Sequence, residues 1–280
     1  MRFGYDGGRF HGVPPQPDLP TVGGAVRDRF WSAFDQKPRN LAFTSRTDGG
    51  VHARGNFSTC WIPEIPLPEL NAAMAAFAAD QPDGLRDVAA VLSPKPTHAR
   101  ALAAGKHYRY TIETGFSPEA LDEIVARVSW RGRTLERKRL APPPADPVEA
   151  STWQIFPAID LARMQRAAAH LIGEHDFNAL RMKRCSANIT VKSIDEITIT
   201  AAPSAPGRVR YTIDVRGKSF LRKMVRIIVG TLVEVGVGLR EPDSMPALIA
   251  TRDRRYAGIT APSRGLILQE IVLLEDWFGQ

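Results

Sequence analysis

Cysteine is scarce: the 280-residue chain holds two, Cys60 and Cys185, far apart and in no Cys-x-x-Cys pair. That argues against a disulfide framework, and two separated thiols fit a reducing compartment. No apolar run reaches the roughly 18 residues a membrane span needs. The opening MRFGYDGGRF also lacks the apolar stretch of a signal peptide. A cytoplasmic chain without membrane contact is expected. There is no GxxxxGK[ST], which removes support for a phosphate-loop nucleotide hydrolase. GVG at 236–238 is followed by Leu-Arg-Glu and fails the dinucleotide pattern, and GKSFL lacks the second glycine of a nucleophile elbow. The six histidines contain no HExxH, and His170 and His175, five apart, fall on different faces of a helix. Chemistry that uses neither metal nor cofactor is expected.

Acidic residues are the minority charge. Lys and Arg total 37 against 30 Asp and Glu, a net +7, a balance that suits a polyanionic partner, nucleic acid being the commonest, and equally suits solubility alone. The 44% hydrophobic and 24% charged content is that of a soluble globular protein, and the length supports one large domain or two modest ones.

Patterning along the chain alternates short strands and helices. RFGYDGG reads as a strand entering a Gly-rich turn. TVGGAVRDRFWSAF carries Val22, Val26, Phe30 and Phe34 as one helical stripe. NLAFTS and GNFSTCWI read as strands on either side of the polar run TSRTDGGVHARGN at 44–56, LPELNAAMAAFAADQP as a helix stopped near Pro82, and LRDVAAVLS as a strand. KHYRYTIE alternates as a strand. AIDLARMQRAAAHLIG is a helix with Asp160 as its N-cap. ITVKSIDEITITA and GRVRYTIDVRG are neighbouring strands separated by APSAPG, SFLRKMVRIIVGTLVEVG is the most strongly patterned helix, and GLILQEIVLLEDW closes as strand. Residues 129–150 are basic, then proline-rich, the composition of a loop or inserted segment. The alternation predicts an α+β fold, largely antiparallel, divided into residues 1–97 and 98–280.

Three clusters remain. Asp-Gly-Gly after an apolar strand is a turn signal, yet it also presents the Asp48 carboxylate at a sheet end. Arg46 lies two residues earlier, on the same side if the chain stays extended. In the patterned helix Arg222, Arg226 and Gly230 form a stripe apart from the core face: a solvated row, or one whose glycine clears room beside Arg226. Tyr108 and Tyr110, among Lys106, His107 and Arg109, are strand packing or a stacking platform for a base.

These segments carry a resemblance. YDGGRFHG resembles the opening YDG-x-x-F-x-G of the bacterial tRNA pseudouridine synthase A family, and SRTDGGVHA its GRTDAGVHA. HARALAAGKHYRY, GEHDF, FLRKMVRIIVGTLVEVG and SRGLILQEI resemble its later motifs in the same order, over almost the full length. The match departs at Ser45, at one glycine after Asp48, and at HGVPPQP, where an aromatic is replaced by prolines. The resemblance implies two similar subdomains whose mainly antiparallel sheets join into one extended, helix-flanked sheet with a central RNA-binding cleft. It implies an isomerase that turns uridine into pseudouridine in the anticodon stem-loop of tRNA, working as a homodimer without cofactor. By motif match Asp48 is the nucleophile, Arg226 its partner, and Tyr108 stacks on the base. Arg46 fills the place of the flipped nucleotide, Leu266 walls the pocket, and His52 and Arg222 contact substrate. The alternative is a catalytically inactive tRNA-binding relative of the same fold.

Overall fold

The computed structural model describes residues 1–62, 64–80, 83–93, 95–115, 151–155, 158–183 and 185–278. The basic, proline-rich segment at 129–150 and Pro82 lie outside the described residues. The chain forms two compact units, Met1–His107 together with Ile267–Gln280, and Tyr108–Leu266. A division after residue 97 leaves the closing strand with the second half. In the folded chain that strand joins the first unit, because Ile267 and Leu268 pair in parallel with His52 and Ala53. The architecture is α+β with mostly antiparallel pairing.

In the first unit β1 (Arg2–Tyr5), β2 (Arg39–Phe43), β3 (His52–Trp61) and β4 (Leu85–Ala89) pair antiparallel, with β3 against both β1 and β2 and β4 on the far side of β1. Helix α1 (Val22–Phe34) buries Val22, Val26 and Phe30, the expected stripe, while Phe34 is half-buried and stacks on Phe30 at 4.4 Å. Its start is set by Thr21, whose hydroxyl accepts from the Gly24 amide at 3.1 Å. Gly23 is a poor helix former, but a Cβ there would lie 2.6 Å from the Val13 carbonyl oxygen, so close packing decides the residue. Helix α2 (Leu67–Ala78) ends four residues short of Pro82. Its last carbonyls are taken by Arg29 of α1, which donates to Phe77 O and Ala79 O at 3.1 Å each and forks onto Asp83 at 2.6 and 2.8 Å. A charged side chain that is 2% exposed survives in the core because each nitrogen of its guanidinium donates a hydrogen bond.

Strand β5 (Ala103–Thr114) passes from the first unit into the second. There β6 (Trp153–Gln154) pairs parallel to it, and β7 (Gly173–Asp176), β8 (Val191–Ala205) and β9 (Arg208–Gly217) run antiparallel in the order β5-β9-β8-β7. APSAPG is not a loop between β8 and β9. The ladder continues to Ala205↔Arg208, and residues 206–207 alone make the turn, with Gly207 at φ +73°. Helix α3 (Leu161–Ala169) is capped as expected, the Asp160 carboxylate accepting from Arg163 N at 3.0 Å. Helix α4 (Met224–Gly236) is buried except at Arg226, and α5 (Met245–Thr251) follows. β10 (Leu266–Leu273) closes the chain's regular structure. No helix among the described residues is long and apolar enough to cross a membrane.

Replacing Arg29 by Ala leaves the Asp83 carboxylate uncompensated and the α2 carbonyls unbonded. We expect a loss of about 3 kcal/mol, read as a lower urea midpoint with an unchanged slope.

Candidate active site

Asp48 stands in the loop 44–51, after β2 ends at Phe43 and before β3 begins at His52. The strand expected to deliver it stops five residues short, because a side chain takes over the ladder. The Thr44 amide donates to Phe57 O at 2.9 Å. From Ser45 onward the partner is Asn56, whose Oδ1 accepts from Ser45 N at 3.2 Å while its Nδ2 donates to Ser45 O at 2.9 Å. The same amide accepts from Phe57 N at 2.9 Å and donates to the Tyr5 hydroxyl at 3.2 Å. Tyr5 in turn shares a 2.9 Å hydrogen bond with Thr47 Oγ1.

The opening motif braces the other flank. Val13 N donates to Thr47 O at 3.3 Å and Gly50 N to Phe10 O at 3.2 Å, and the turn closes with Val51 N on Asp48 O at 3.2 Å. Gly50 sits at φ +78°, a conformation that glycine adopts without strain. A Cβ on Gly7 would fall 2.2 Å from the Val51 carbonyl, so YDGG is glycine-rich to let two backbones touch. Gly49, where the family pattern carries alanine, faces His11: a Cβ there would lie 3.2 Å from its carbonyl carbon. Two of the departures from the family pattern, Gly49 and the start of HGVPPQP, therefore meet in space. The result is alternating exposure: Ser45 and Thr47 buried, Arg46 exposed, Asp48 half-buried. Arg46 and Asp48 lie on the outer side of a loop held from within. His52 is half-buried, its Nδ1 3.0 Å from an Asp6 carboxylate oxygen and 3.3 Å from the Gly7 amide, tying the first motif to the start of β3. Lys106 of β5 donates to Thr44 O at 2.9 Å.

The second unit holds Tyr108, Arg222, Arg226 and Leu266. Tyr108 is 8% exposed and packs edge-on against Phe220 at 5.4 Å. Arg226 lies in the first turn of α4 with its Nε donating to Ala261 O at 2.7 Å. Arg222 does not share that helix. Lys223 takes a left-handed conformation, φ +60°, so α4 starts at Met224 and the expected Arg222–Arg226 stripe does not form. Arg222 is exposed and its carbonyl accepts from Met182 N at 3.0 Å. Leu266 is buried at the start of β10. Tyr110 packs against the residues just before Leu266: its hydroxyl donates to Pro262 O at 2.8 Å, and a Cβ on Gly265 would strike its ring at 2.6 Å. Burial, only partly offset by the Arg226 and Arg264 charges, pushes the Tyr110 phenol well above its usual range, so it serves as a neutral donor. Among the described residues no three His, Cys, Asp or Glu side chains gather as a metal site would.

Comparison with known proteins decides the assignment. A family model described as tRNA pseudouridine synthase matches residues 167–272. The tRNA pseudouridine synthase A of Geotalea uraniireducens is 35% identical over 95% of this chain and 96% of its own. That of Syntrophotalea carbinolica is 35% identical over 95% and 92%. The chain belongs to the tRNA pseudouridine synthase A family. It is a pseudouridine synthase, an isomerase. A solved Cbf5-Nop10-Gar1 complex aligns with a TM-score of 0.32 at 11% identity, over 84% of this chain and 45% of that one, too slight a likeness to argue from.

Within this synthase, sequence reasoning passed over the residues that hold the site. Asn56 is fully buried, Tyr5 is 3% exposed, and Lys106 is in contact with the loop. The available signal was the one side-chain amide in the strand, Asn56 in HARGNFSTCW, since a buried amide left unsatisfied is costly.

Burial, reinforced by the Arg100 charge, lowers the Lys106 ammonium from its usual 10.5 to about 8. The unfolded chain keeps that proton up to its usual pKa, so the folded state binds fewer protons between the two values and stability rises with pH across that window. The contribution is about 3 kcal/mol. Lys106→Met removes the rise between pH 8 and 10.5. Urea midpoints that climb equally in both proteins over this range contradict the assignment.

Proposed function

We propose that this synthase isomerises uridine to pseudouridine in the anticodon stem-loop of tRNA, with Asp48 as the nucleophile. The observation that carries the reading is the loop at 44–51, in which buried bonds on both flanks fix the backbone while Asp48 stays half-buried and Arg46 exposed. Such a loop presents a carboxylate at a set place.

The reaction breaks the bond from ribose C1′ to uracil N1 and forms a bond from C1′ to C5. The C5 proton leaves and N1 regains one, with no net water consumed. A stem uridine must first leave its stack, at a cost of a few kcal/mol. Arg46, exposed and cationic, occupies the vacated place and contacts phosphate, offsetting part of that cost. Asp48 attacks while ionised, and a fixed guanidinium keeps a desolvated carboxylate charged. Arg226 is assigned that pairing, since its Nε bond to Ala261 O sets the plane of the group. Tyr108 stacks on the base and Leu266 walls the pocket. Arg222, exposed at the entry to α4, contacts the RNA backbone, and His52 acts by holding the first motif in place. The net +7 charge suits a polyanionic substrate. We extend the proposal to a homodimer working in the cytoplasm from side chains alone.

A catalytically inactive tRNA-binding relative is the second reading, and the retention of Asp48, Arg46, Tyr108 and Arg226 together counts against it. The two separate on one variant. Asp48→Ala is expected to bring tritium release from tRNA labelled at uridine C5 down to background while tRNA affinity stays within a few-fold. Wild-type release by that variant refutes the nucleophile assignment, and no release by the wild type supports the inactive relative.

A further inference from the structure

The glycine beside Arg226 does make room, and the chain itself fills it. Residues 256–262 lie along α4 as a strap. A Cβ on Gly230 would meet the Ile259 carbonyl oxygen at 2.0 Å, and one on Gly258 would meet Thr231 Cα at 2.7 Å, so the two backbones are in contact. The strap is held by four hydrogen bonds to three residues of the helix, Arg226, Thr231 and Glu234. Ala261 N donates to Arg226 O at 3.0 Å, and Arg226 Nε donates to Ala261 O at 2.7 Å. Gly258 N donates to Thr231 Oγ1 at 3.0 Å, and Thr231 itself donates back to Ile227 O at 2.7 Å. Ile259 N donates to Glu234 Oε1 at 3.3 Å. The other oxygen of Glu234 receives Arg240 through Nε at 3.2 Å and a terminal nitrogen at 3.0 Å, and Arg240 also donates to Tyr256 O at 2.8 Å, where the strap begins.

Glu234 and Arg240 are 4% and 7% exposed and form a buried ion pair at 3.0 Å. One partner touches the strap at Ile259, the other at Tyr256. A buried pair is not needed for stability alone, since an apolar replacement commonly serves as well. What it supplies here is a fixed place for the strap, and the strap carries the carbonyl that orients Arg226.

We infer that Glu234 is a positioning residue for Arg226, acting through the 256–262 strap and touching neither substrate nor Asp48. Thr231 is the second pin of the same device. This rests on the proposed role of Arg226, and the test separates the two.

Single-turnover tritium release and tRNA affinity are measured on the full chain for Glu234→Gln, Thr231→Val, Thr231→Ser and Arg226→Lys, and for Arg226→Lys combined with each strap variant. Thr231→Val is included because Glu234→Gln removes the charge that balances the buried Arg240 and can cost the fold. The expected result is a rate lower by about 10–100-fold in Glu234→Gln and Thr231→Val, tRNA affinity within a few-fold, and recovery in Thr231→Ser, which restores the hydroxyl. Added to Arg226→Lys, either strap variant costs little more, because both losses pass through one guanidinium. A merely structural residue lowers the melting temperature and leaves the rate per folded enzyme unchanged. If Arg226→Lys is slow while both strap variants run at the wild-type rate, or if the losses add in full, the inference is overturned and the role of Arg226 stands. If Arg226→Lys itself is unimpaired, that role falls and the inference with it.

Discussion

The buried side chain of Asn56 is the contact on which the candidate site depends. An amide has two donor hydrogens and two acceptor directions, and here two bonds go to each end: Ser45 N and Phe57 N on the oxygen, Ser45 O and the Tyr5 hydroxyl on the nitrogen. It pairs with Ser45 as a strand backbone does, at the point where the real ladder has run out. The chain can therefore leave the sheet at Thr44 and still be as fixed as a strand through Thr47. A carboxylate one residue beyond inherits that rigidity without being buried. Satisfying all four positions matters, because a partly bonded amide in this place costs more than an apolar residue.

The second unit solves a related problem differently. Arg226 projects from the first turn of a helix whose start is abrupt, Lys223 having turned left-handed just before it. A long cation there has many rotamers. The strap at 256–262 removes them by offering one carbonyl at 2.7 Å, and two glycines let it approach closely enough to do so. In both units glycine is used where two backbones touch, at Gly7 against Val51 and at Gly230 against Ile259, and the bonds that fix a functional side chain come from residues distant in sequence.

That distance explains what could be read in the sequence and what could not. Local signals were legible. Asp160 is a helix cap in the chain and in the fold, the stripe of α1 is buried as spaced, and the α+β class follows from the alternation. Boundaries set by backbone conformation were not: nothing in SFLRKMVRI marks Lys223 as left-handed, so Arg222 was placed on a helix it precedes. Proline in APSAPG read as a loop, yet Pro203 sits in the exposed end of a hairpin strand that tolerates it. The positions matched to the family motifs could be read as a set, while Asn56, Tyr5 and the Glu234–Arg240 pair become visible only when separate segments are brought together, Asn56 to Tyr5 across 51 positions and Glu234 to Ile259 across 25.

If the clamp rather than the loop's own sequence readies Asp48, its loss must appear in the chemistry before it appears in binding. Single-turnover tritium release by Asn56→Ala under saturating enzyme is the most direct measurement. The account predicts a rate far below wild type, with tRNA affinity and circular dichroism close to wild type. A folded Asn56→Ala variant that turns over at the wild-type rate contradicts it.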